Sequence, residues 1–219
     1  WLTDGLSTTV LDANTRRITA SVRAFGDSAT QNLIRFRTYE TGNIEAISSG
    51  FVVQVDATAP GAPQGLAATP SGWTGTANFS VQWTNPPDLT PVTAAWYKLN
   101  SAPISPQDGI SVTTTTGISG IAPATDGAIP VYVWLEDAHG LIGHGNAVST
   151  TLHLDTTSPV SSATPAPALP ATRWYTTSVD IQFAATDLPE DPLYPALVYT
   201  SLNGGVWTPL TQMNVTAEG

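Results

Sequence analysis

The sequence predicts an all-β protein built of tandem β-sandwich modules, and three observations lead to this fold class. Apolar and polar residues alternate with a period of two in several short runs, as they do in half-buried strands. No long stretch keeps the helical period of about 3.6 residues, and Gly and Pro number 18 each, so turn signals recur at short intervals. A nearly identical hexapeptide also occurs twice, which indicates a repeated unit. Short strands separated by frequent turns favour sandwiches.

The repeated hexapeptide reads VDATAP at 55–60 and LDTTSP at 154–159, so 99 residues separate the two copies. Each copy ends an apolar alternating run. The proline that closes each copy cannot donate a hydrogen bond to a strand ladder, and the residue before it is biased toward extended geometry. We therefore predict that the hexapeptide ends one module and sets the start of the next. The predicted inter-module linker residues are Asp56, Pro60, Asp155 and Pro159.

The strand patterns on both sides of these linkers repeat as well. Residues 79–83 (FSVQW) alternate between apolar and polar side chains, and residues 179–183 (VDIQF) do the same. Before each linker a strand runs into an acidic turn, at 40–43 and 137–140, and a second strand follows, which predicts a hairpin. The predicted domains are a partial module at 1–56, a complete module at 57–156 and a C-terminally incomplete module at 157–219.

This division leaves the first module without opening strands and the third without a closing hairpin. A sandwich with absent strands exposes unpaired backbone N–H and C=O groups, which are a template for strand addition. One hypothesis is that neighbouring modules or subunits of the same protein complete one another. The alternative is that the chain is a piece of a longer array.

Composition excludes several classes of function. The net charge is −10 with one lysine, Lys98, which argues against a nucleic-acid partner and against docking on anionic lipid. No apolar run approaches the ~20 residues of a membrane span, so we expect no direct membrane insertion. The chain has no cysteine, which excludes thiol catalysis and cysteine-ligated metals.

Catalytic and metal-binding patterns give little support to an enzyme. The sequence has no GxSxG, HExxH or phosphate-binding glycine motif, so we predict no enzymatic activity and no cofactor. His139 and His144 lie in a Gly-rich loop with no carboxylate at a matching spacing, which disfavours a metal site. The loop residues Asp187, Glu190 and Asp191 form an acidic cluster whose oxygens could bind calcium, although a solvated turn is the simpler interpretation. Folding alone could add further ligands to such a site, namely Glu136, Asp137, Asp56 or Asp155.

Two tryptophans, Trp73 and Trp174, each open a repeated unit. An exposed indole could stack on a sugar ring, so both residues are candidates for ligand stacking. The more common role of such a side chain is to cover one end of a hydrophobic core, where it buries up to ~250 Å². The remaining strand tryptophans are predicted to lie in the core or on sheet faces, and they are Trp83, Trp96, Trp134 and Trp207.

The segment APQGLAATPSG…FSVQWTNPPD…WYKL resembles the opening of a fibronectin type III-like module, and Trp83 matches the tryptophan that packs in the core of that family. The segment LDTTSP…RWYTTSVDIQFAATD…YTSLNGGVWTPL resembles the immunoglobulin-like repeats of large bacterial secreted or cell-surface proteins, which commonly join through Asp-Thr-Thr-x-Pro linkers. Those repeats end in an Asp-x-x-Gly-Asn turn. YETGN keeps Gly42 and Asn43 of this turn, whereas EDAHG departs from it at His139 and Gly140.

The resemblance implies tandem immunoglobulin-like/fibronectin type III-like sandwiches in an extracellular or cell-surface protein. The function that follows is a non-enzymatic structural one, in a bacterial surface layer, filament or stalk, with neighbouring modules or subunits of the same protein as partners. The alternative is an adhesin or a carbohydrate-binding accessory segment, whose partners are glycans or other surface proteins. Such folds host many functions, so the fold alone does not choose between the two.

Overall fold

In the residues that it describes, the computed structural model is all-β apart from one 3₁₀ turn at His144–Asn146. It describes residues 6–20, 26–39, 42, 45–168, 170–175, 177, 179–186, 199–201 and 204–209. All the strand pairs within its sheets are antiparallel. The predicted all-β fold class is therefore confirmed.

The described part of the first 56 residues forms three two-stranded ladders. β1 pairs with β2, β3 with β6 and β4 with β5, so the last four strands form one long, interrupted hairpin. The antiparallel pairing of β4 with β5 confirms the strands of the predicted hairpin around residues 40–43, and most of its turn lies outside the described residues. The strands are β1 (Leu6–Val10), β2 (Arg16–Ala20), β3 (Leu33–Ile34), β4 (Arg37–Tyr39), β5 (Glu45–Ile47) and β6 (Phe51–Val52).

The middle of the chain forms two larger sheets. One contains three strands in the order β11-β8-β7, and the other contains four in the order β10-β9-β12-β13. The β12–β13 hairpin closes through an isolated bridge between Glu136 and Ile142, which confirms the second predicted hairpin. The strands are β7 (Gln64–Thr69), β8 (Phe79–Thr84), β9 (Val92–Leu99), β10 (Ile110–Val112), β11 (Gly117–Ile121), β12 (Gly127–Asp137) and β13 (Val148–Leu154).

The two middle sheets share one hydrophobic core, because alternate residues of each strand point toward the other sheet. In β8 the buried positions are Phe79, Val81 and Trp83, as the period-two pattern predicts. The opposing sheet contributes residues from β9, β12 and β13, including Val131 and Leu152. Among the residues that the structure describes, every buried side chain lies between positions 60 and 154.

Trp134 is fully buried, but on the side of β12 opposite the core. Its neighbours Val133 and Leu135 both face the core, so Trp134 points outward and is covered by the β9–β10 connection. Its indole N–H donates to the carbonyl oxygen of Pro106 at 2.9 Å, and its ring stacks on Trp96 with 6.4 Å between centroids. The connection thus covers Trp134 on the outer face of the sheet.

The last part of the chain contains two further two-stranded ladders, β14–β15 and β16–β17. β14 ends at the cis Ala166–Pro167 bond, just as β7 ends at the cis Thr69–Pro70 bond. The predicted alternation at 179–183 is present, although its apolar residues are only half-buried. The strands are β14 (Val160–Ala166), β15 (Asp180–Thr186), β16 (Tyr199–Thr200) and β17 (Thr208–Pro209).

Candidate functional site: the two linkers and their aspartates

The second linker is held by an aspartate that precedes it by about thirty residues. Thr156 donates its hydroxyl to both carboxylate oxygens of Asp126, at 2.9 and 3.0 Å, and Thr157 donates to Oδ2 at 2.8 Å. Asp155 accepts the backbone N–H of Thr157 at 2.9 Å, which forms an Asx turn. Its own N–H donates to the carbonyl of Thr74 at 3.0 Å. Asp126 and the threonines form what we name the second aspartate clamp.

The first linker is held by a carboxylate in a similar position, although one of its donors is a backbone N–H instead of a hydroxyl. Asp27 accepts the backbone N–H of Ala57 at 2.8 Å and the hydroxyl of Thr58, and Asp56 accepts the N–H of Thr58 at 3.4 Å. Asp27 therefore accepts the Thr58 hydroxyl as Asp126 accepts the Thr157 hydroxyl in the second linker. We name Asp27 with Ala57 and Thr58 the first aspartate clamp.

Sequence reasoning missed both clamp aspartates. The signal was present in the spacing, because Asp27 and Asp126 each precede their linker aspartate by 29 residues and stand 99 residues apart, the same interval as the linkers. They are the second residues of GDSA (26–29) and TDGA (125–128), two short polar stretches that do not stand out as strands. The repeat therefore includes a hydrogen-bond acceptor as well as the hexapeptide that supplies the donors.

Hydrogen bonding in the second clamp stabilises the charged form of its acceptor. The Thr157 hydroxyl, followed by smaller effects from Thr156, lowers the pKa of Asp126 against the opposing effect of desolvation. A lowered pKa in the folded state means that the clamp contributes stability above the ordinary pKa of aspartate. That contribution is lost as the pH falls through the lowered value.

The first linker is also bonded to the module that follows it. The Asp56 side chain is only 4% exposed and accepts the Thr90 hydroxyl at 2.6 Å, and His139 Nδ1 lies 3.8 Å from the same carboxylate. Pro60 is buried, and its carbonyl oxygen accepts the Asn146 side-chain amide at 2.8 Å. Asp56 and Pro60 thus fasten the linker to the middle sheets, while Asp27 fastens it to the first segment.

The second predicted linker differs on its far side. Asp155 is half-buried, and Pro159 is exposed immediately before β14. The described contacts of this linker are directed back to Asp126 and Thr74, in the part of the chain that precedes it. The two linkers therefore share a clamp but differ in how firmly the following strands contact them.

Two further aspartates lie beside the first linker with one oxygen each unpaired. Asp137 is 1% exposed, and its Oδ1 accepts the N–H groups of His139 at 2.8 Å and Leu141 at 2.9 Å. Asp88 Oδ1 accepts the N–H of Leu89 at 2.8 Å. The Oδ2 atoms of Asp88 and Asp137 are buried and have no hydrogen-bond partner among the described residues.

The pKa of Asp88 reflects this environment. Desolvation is the largest cause that raises it, and the hydrogen bond from Leu89 opposes the rise. The negative charges of Asp56, Asp137 and Asp27 raise it further. These four aspartates, Asp27, Asp56, Asp88 and Asp137, therefore form an acidic junction around the first linker.

The candidate metal ligands are only partly brought together. Asp56 and Asp137 both contact His139, through its ring nitrogen and its backbone N–H respectively. His144 lies in the 3₁₀ turn. Across the described ranges, no three histidine or acidic side chains are already arranged to hold a metal ion. The predicted acidic cluster at Asp187, Glu190 and Asp191 lies outside the described residues.

The two candidate stacking tryptophans have different environments. Trp73 is half-buried and tilted against His153, with 5.2 Å between ring centroids, and the adjacent Thr74 forms a parallel bridge with Leu154. Trp174 is 78% exposed. Trp73 is thus partly covered by His153, while Trp174 presents its ring to solvent.

The other tryptophans divide in the same way. Trp83 and Trp134 are buried and Trp96 is half-buried, as the strand pattern predicts, whereas Trp207 is largely exposed.

Comparison with known proteins gives no relative for this chain: no family model matches it, and no curated protein sequence matches it significantly. The part of the chain that the structure describes contains no helix with the length and apolar character needed to cross a membrane.

Proposed function

We propose that this chain is a non-enzymatic structural segment of an extracellular or cell-surface protein, made of tandem immunoglobulin-like/fibronectin type III-like sandwiches. The observation that carries this proposal is the aspartate clamp, in which a threonine hydroxyl donates to an aspartate carboxylate and which recurs after 99 residues. A chain that repeats both its strands and the hydrogen bonds of its linkers is suited to hold modules at a reproducible angle.

The arrangement of the middle sheets supports the sandwich part of the proposal. Seven antiparallel strands divide three and four between two sheets that share a core, which is the number and division typical of seven-stranded immunoglobulin-like domains. Trp83 on β8 is buried in that core, where the resemblance to fibronectin type III modules places a tryptophan. The non-sequential strand orders also fit a sandwich in which strands alternate between sheets.

The clamps supply a mechanism for stiffness. A linker without such bonds samples many relative orientations of its neighbours, whereas each carboxylate here fixes the backbone or hydroxyls of two consecutive linker residues. In an array whose units contact mainly their neighbours, local stiffness of the linkers determines the reach of the whole. Partners of the segment would then be neighbouring modules or subunits of the same protein.

The test measures inter-module distance distributions by pulsed electron spin resonance. The chain has no cysteine, so spin labels can be placed cleanly at Ser101→Cys and Ser161→Cys, which lie at exposed positions on either side of the second linker. We expect one narrow distance distribution in the parent chain. The double substitution Thr156→Val and Thr157→Val removes the donated hydroxyls at nearly constant volume and should broaden it.

A matched control uses Thr151→Val, an exposed hydroxyl on β13 outside the clamp. It should leave the distribution unchanged. An equally broad distribution in the parent chain and the double variant would contradict a stiff spacer, because the clamp would then not determine orientation.

One observation favours a second candidate function, that of a glycan-binding or adhesive segment. The Trp174 ring is exposed and so is free to stack on a sugar. Titration with soluble polysaccharides, followed by tryptophan fluorescence in the parent chain and in Trp174→Ala, tests this candidate. Binding that is lost in the variant would support it, and an absence of binding would leave the structural role.

A further inference from the structure

The hairpin that precedes the first linker presents an apolar face that stays accessible to solvent. This hairpin corresponds to β12–β13, since the antiparallel pair at its base, Ser28–Val55, recurs 99 residues later. Four core-facing residues of β12–β13 are 0–2% exposed, and they are Val133, Leu135, Leu152 and Leu154. The residues at the same interval in the first hairpin are also apolar but are half-buried or exposed, and they are Ile34, Phe36, Val53 and Val55.

Phe51 extends this apolar face. It pairs with Ile34 across β3 and β6, and the two residues of a cross-strand pair lie on the same face of their ladder. Its side chain is 70% exposed. Apolar side chains that are grouped on one accessible face mark an interaction site, whereas scattered ones do not. We name Ile34, Phe36, Phe51, Val53 and Val55 the closing face.

The strand β15 presents a second accessible apolar face. It pairs with β14 as β8 pairs with β7, and its alternation repeats that of β8 after 100 residues. In β8 the apolar residues are 0–6% exposed, and they are Phe79, Val81 and Trp83. Their counterparts, which we name the opening face, are half-buried, and they are Val179, Ile181 and Phe183.

The middle of the chain shows what covers faces of these two kinds. There the apolar residues of β8 and those of β12 and β13 belong to one core, so an opening hairpin packs against a closing hairpin. The closing face and the opening face are therefore the two halves of a second such core. Within one copy of the chain they do not pack on each other, because the described side chains of both remain accessible.

Charge also favours contact between these unlike faces. Residues 1–56 hold five of the seven Lys and Arg residues and six acidic residues. Two of those acidic residues, Asp27 and Asp56, are already engaged by hydrogen bonds at the first linker. Residues 157–219 hold one arginine and five acidic residues, so two copies of this part repel each other, whereas the arginines of the first part attract it.

We propose that the closing face binds the opening face of a second copy of this chain, so that two copies form between them a sandwich like the one in the middle of each. This inference deepens the structural role proposed above and rests on it only in treating the segments as repeated sandwich modules. Because two different faces meet, the contact is heterologous, and association continues head-to-tail beyond a dimer.

Sedimentation velocity of the whole 219-residue chain, from micromolar to millimolar concentration, tests the proposal. We expect the weight-average mass to rise continuously past that of a dimer. Phe51→Asp and Ile181→Asp each place a charge in the apolar contact, so each should weaken association at least about tenfold. Both positions lie outside the buried core of the middle sheets, so the main melting transition of each variant should match that of the parent.

An equimolar mixture of the two variants locates the contact. Phe51→Asp keeps its opening face and Ile181→Asp keeps its closing face, so the mixture should form one-to-one dimers that grow no further. This result would also show that both variants fold. Gln54→Asp and Gln182→Asp are matched controls, because they add the same charge at exposed residues that alternate with those of each face, and they should associate as the parent does.

Several results would overturn the proposal. A parent chain that stays monomeric at every concentration would show that a second copy does not cover these faces. Association that stops at a dimer, that survives both charge variants, or that fails in their mixture would place the contact elsewhere. The stiffness of the linkers is measured separately by the spin-label distances, so failure of this inference is distinguishable from failure of the structural role.

Discussion

The middle of this chain and its last part carry the same kind of strand pattern, yet only the middle buries it. In β8 the apolar residues Phe79, Val81 and Trp83 are buried, whereas in β15 Ile181 and Phe183 are only half-buried. The difference is the opposing surface, because β8 faces a four-stranded sheet across a shared core. Alternation thus determines which face of a strand is apolar, but the surface packed against that face determines how much stability it supplies.

The largest expected effect comes from a pair of matched phenylalanine truncations. Phe79→Ala removes a side chain that is 1% exposed and should cost about 3–5 kcal/mol of unfolding free energy, since it leaves a cavity in the shared core. Phe183→Ala, from the half-buried strand β15, should cost about 1 kcal/mol or less. Urea denaturation of the whole chain, followed by circular dichroism, measures both. Equal losses of unfolding free energy in the two variants would show that β15 packs as tightly as β8, contrary to this comparison.

A smaller effect should appear where the first linker packs against the middle sheets. A Cβ at Gly143 would lie 2.4 Å from the Pro60 carbonyl oxygen, a backbone atom that cannot move aside easily. We expect Gly143→Ala to cost about 1–3 kcal/mol through overpacking. Gly145→Ala, two residues away with nothing within 4 Å of the added methyl, is the control. Thermal melts of the two variants should therefore differ, and identical melts would mean that the linker is not held against the turn at 143.

The smallest effect concerns the second aspartate clamp and its pH dependence. The pKa of Asp126 is lowered, chiefly by Thr157, so its contribution is present above the ordinary aspartate pKa and is lost as the pH falls through the lowered value. Asp126→Asn should consequently lower the melting midpoint slightly near neutral pH and have no effect in strong acid. A difference that stays constant with pH would indicate that the carboxylate charge is not what the threonines recognise.

Much of the fold follows from local sequence. The alternation at 79–83, the two hairpins and the repeated hexapeptide each use signals within a few residues, and the structure contains the strands that they predict. The linker residues Asp56 and Pro60 were also visible from the repeat alone, although their contacts with Thr90 and Asn146 were not.

The candidate site was less accessible because its acceptors and donors are far apart in sequence. Asp27 and Asp126 reach their threonines across about thirty residues. The charges of Asp56 and Asp137, which raise the pKa of Asp88, likewise come from segments distant in sequence. Neither clamp aspartate lies in a sequence motif that is known to indicate a binding site. Spacing between the repeats was the one signal that could have found them.

The strand class, the alternating faces, the turns and the 99-residue interval can all be read from neighbouring residues, because backbone geometry and side-chain polarity act locally. Long-range packing, in contrast, sets which apolar faces are covered, why Trp134 is buried on the outer side of its sheet, and which carboxylates accept the linker hydroxyls or lack a partner. Those outcomes depend on segments brought together by folding, and burial or charge compensation at one residue is set by atoms that the chain supplies from a distance.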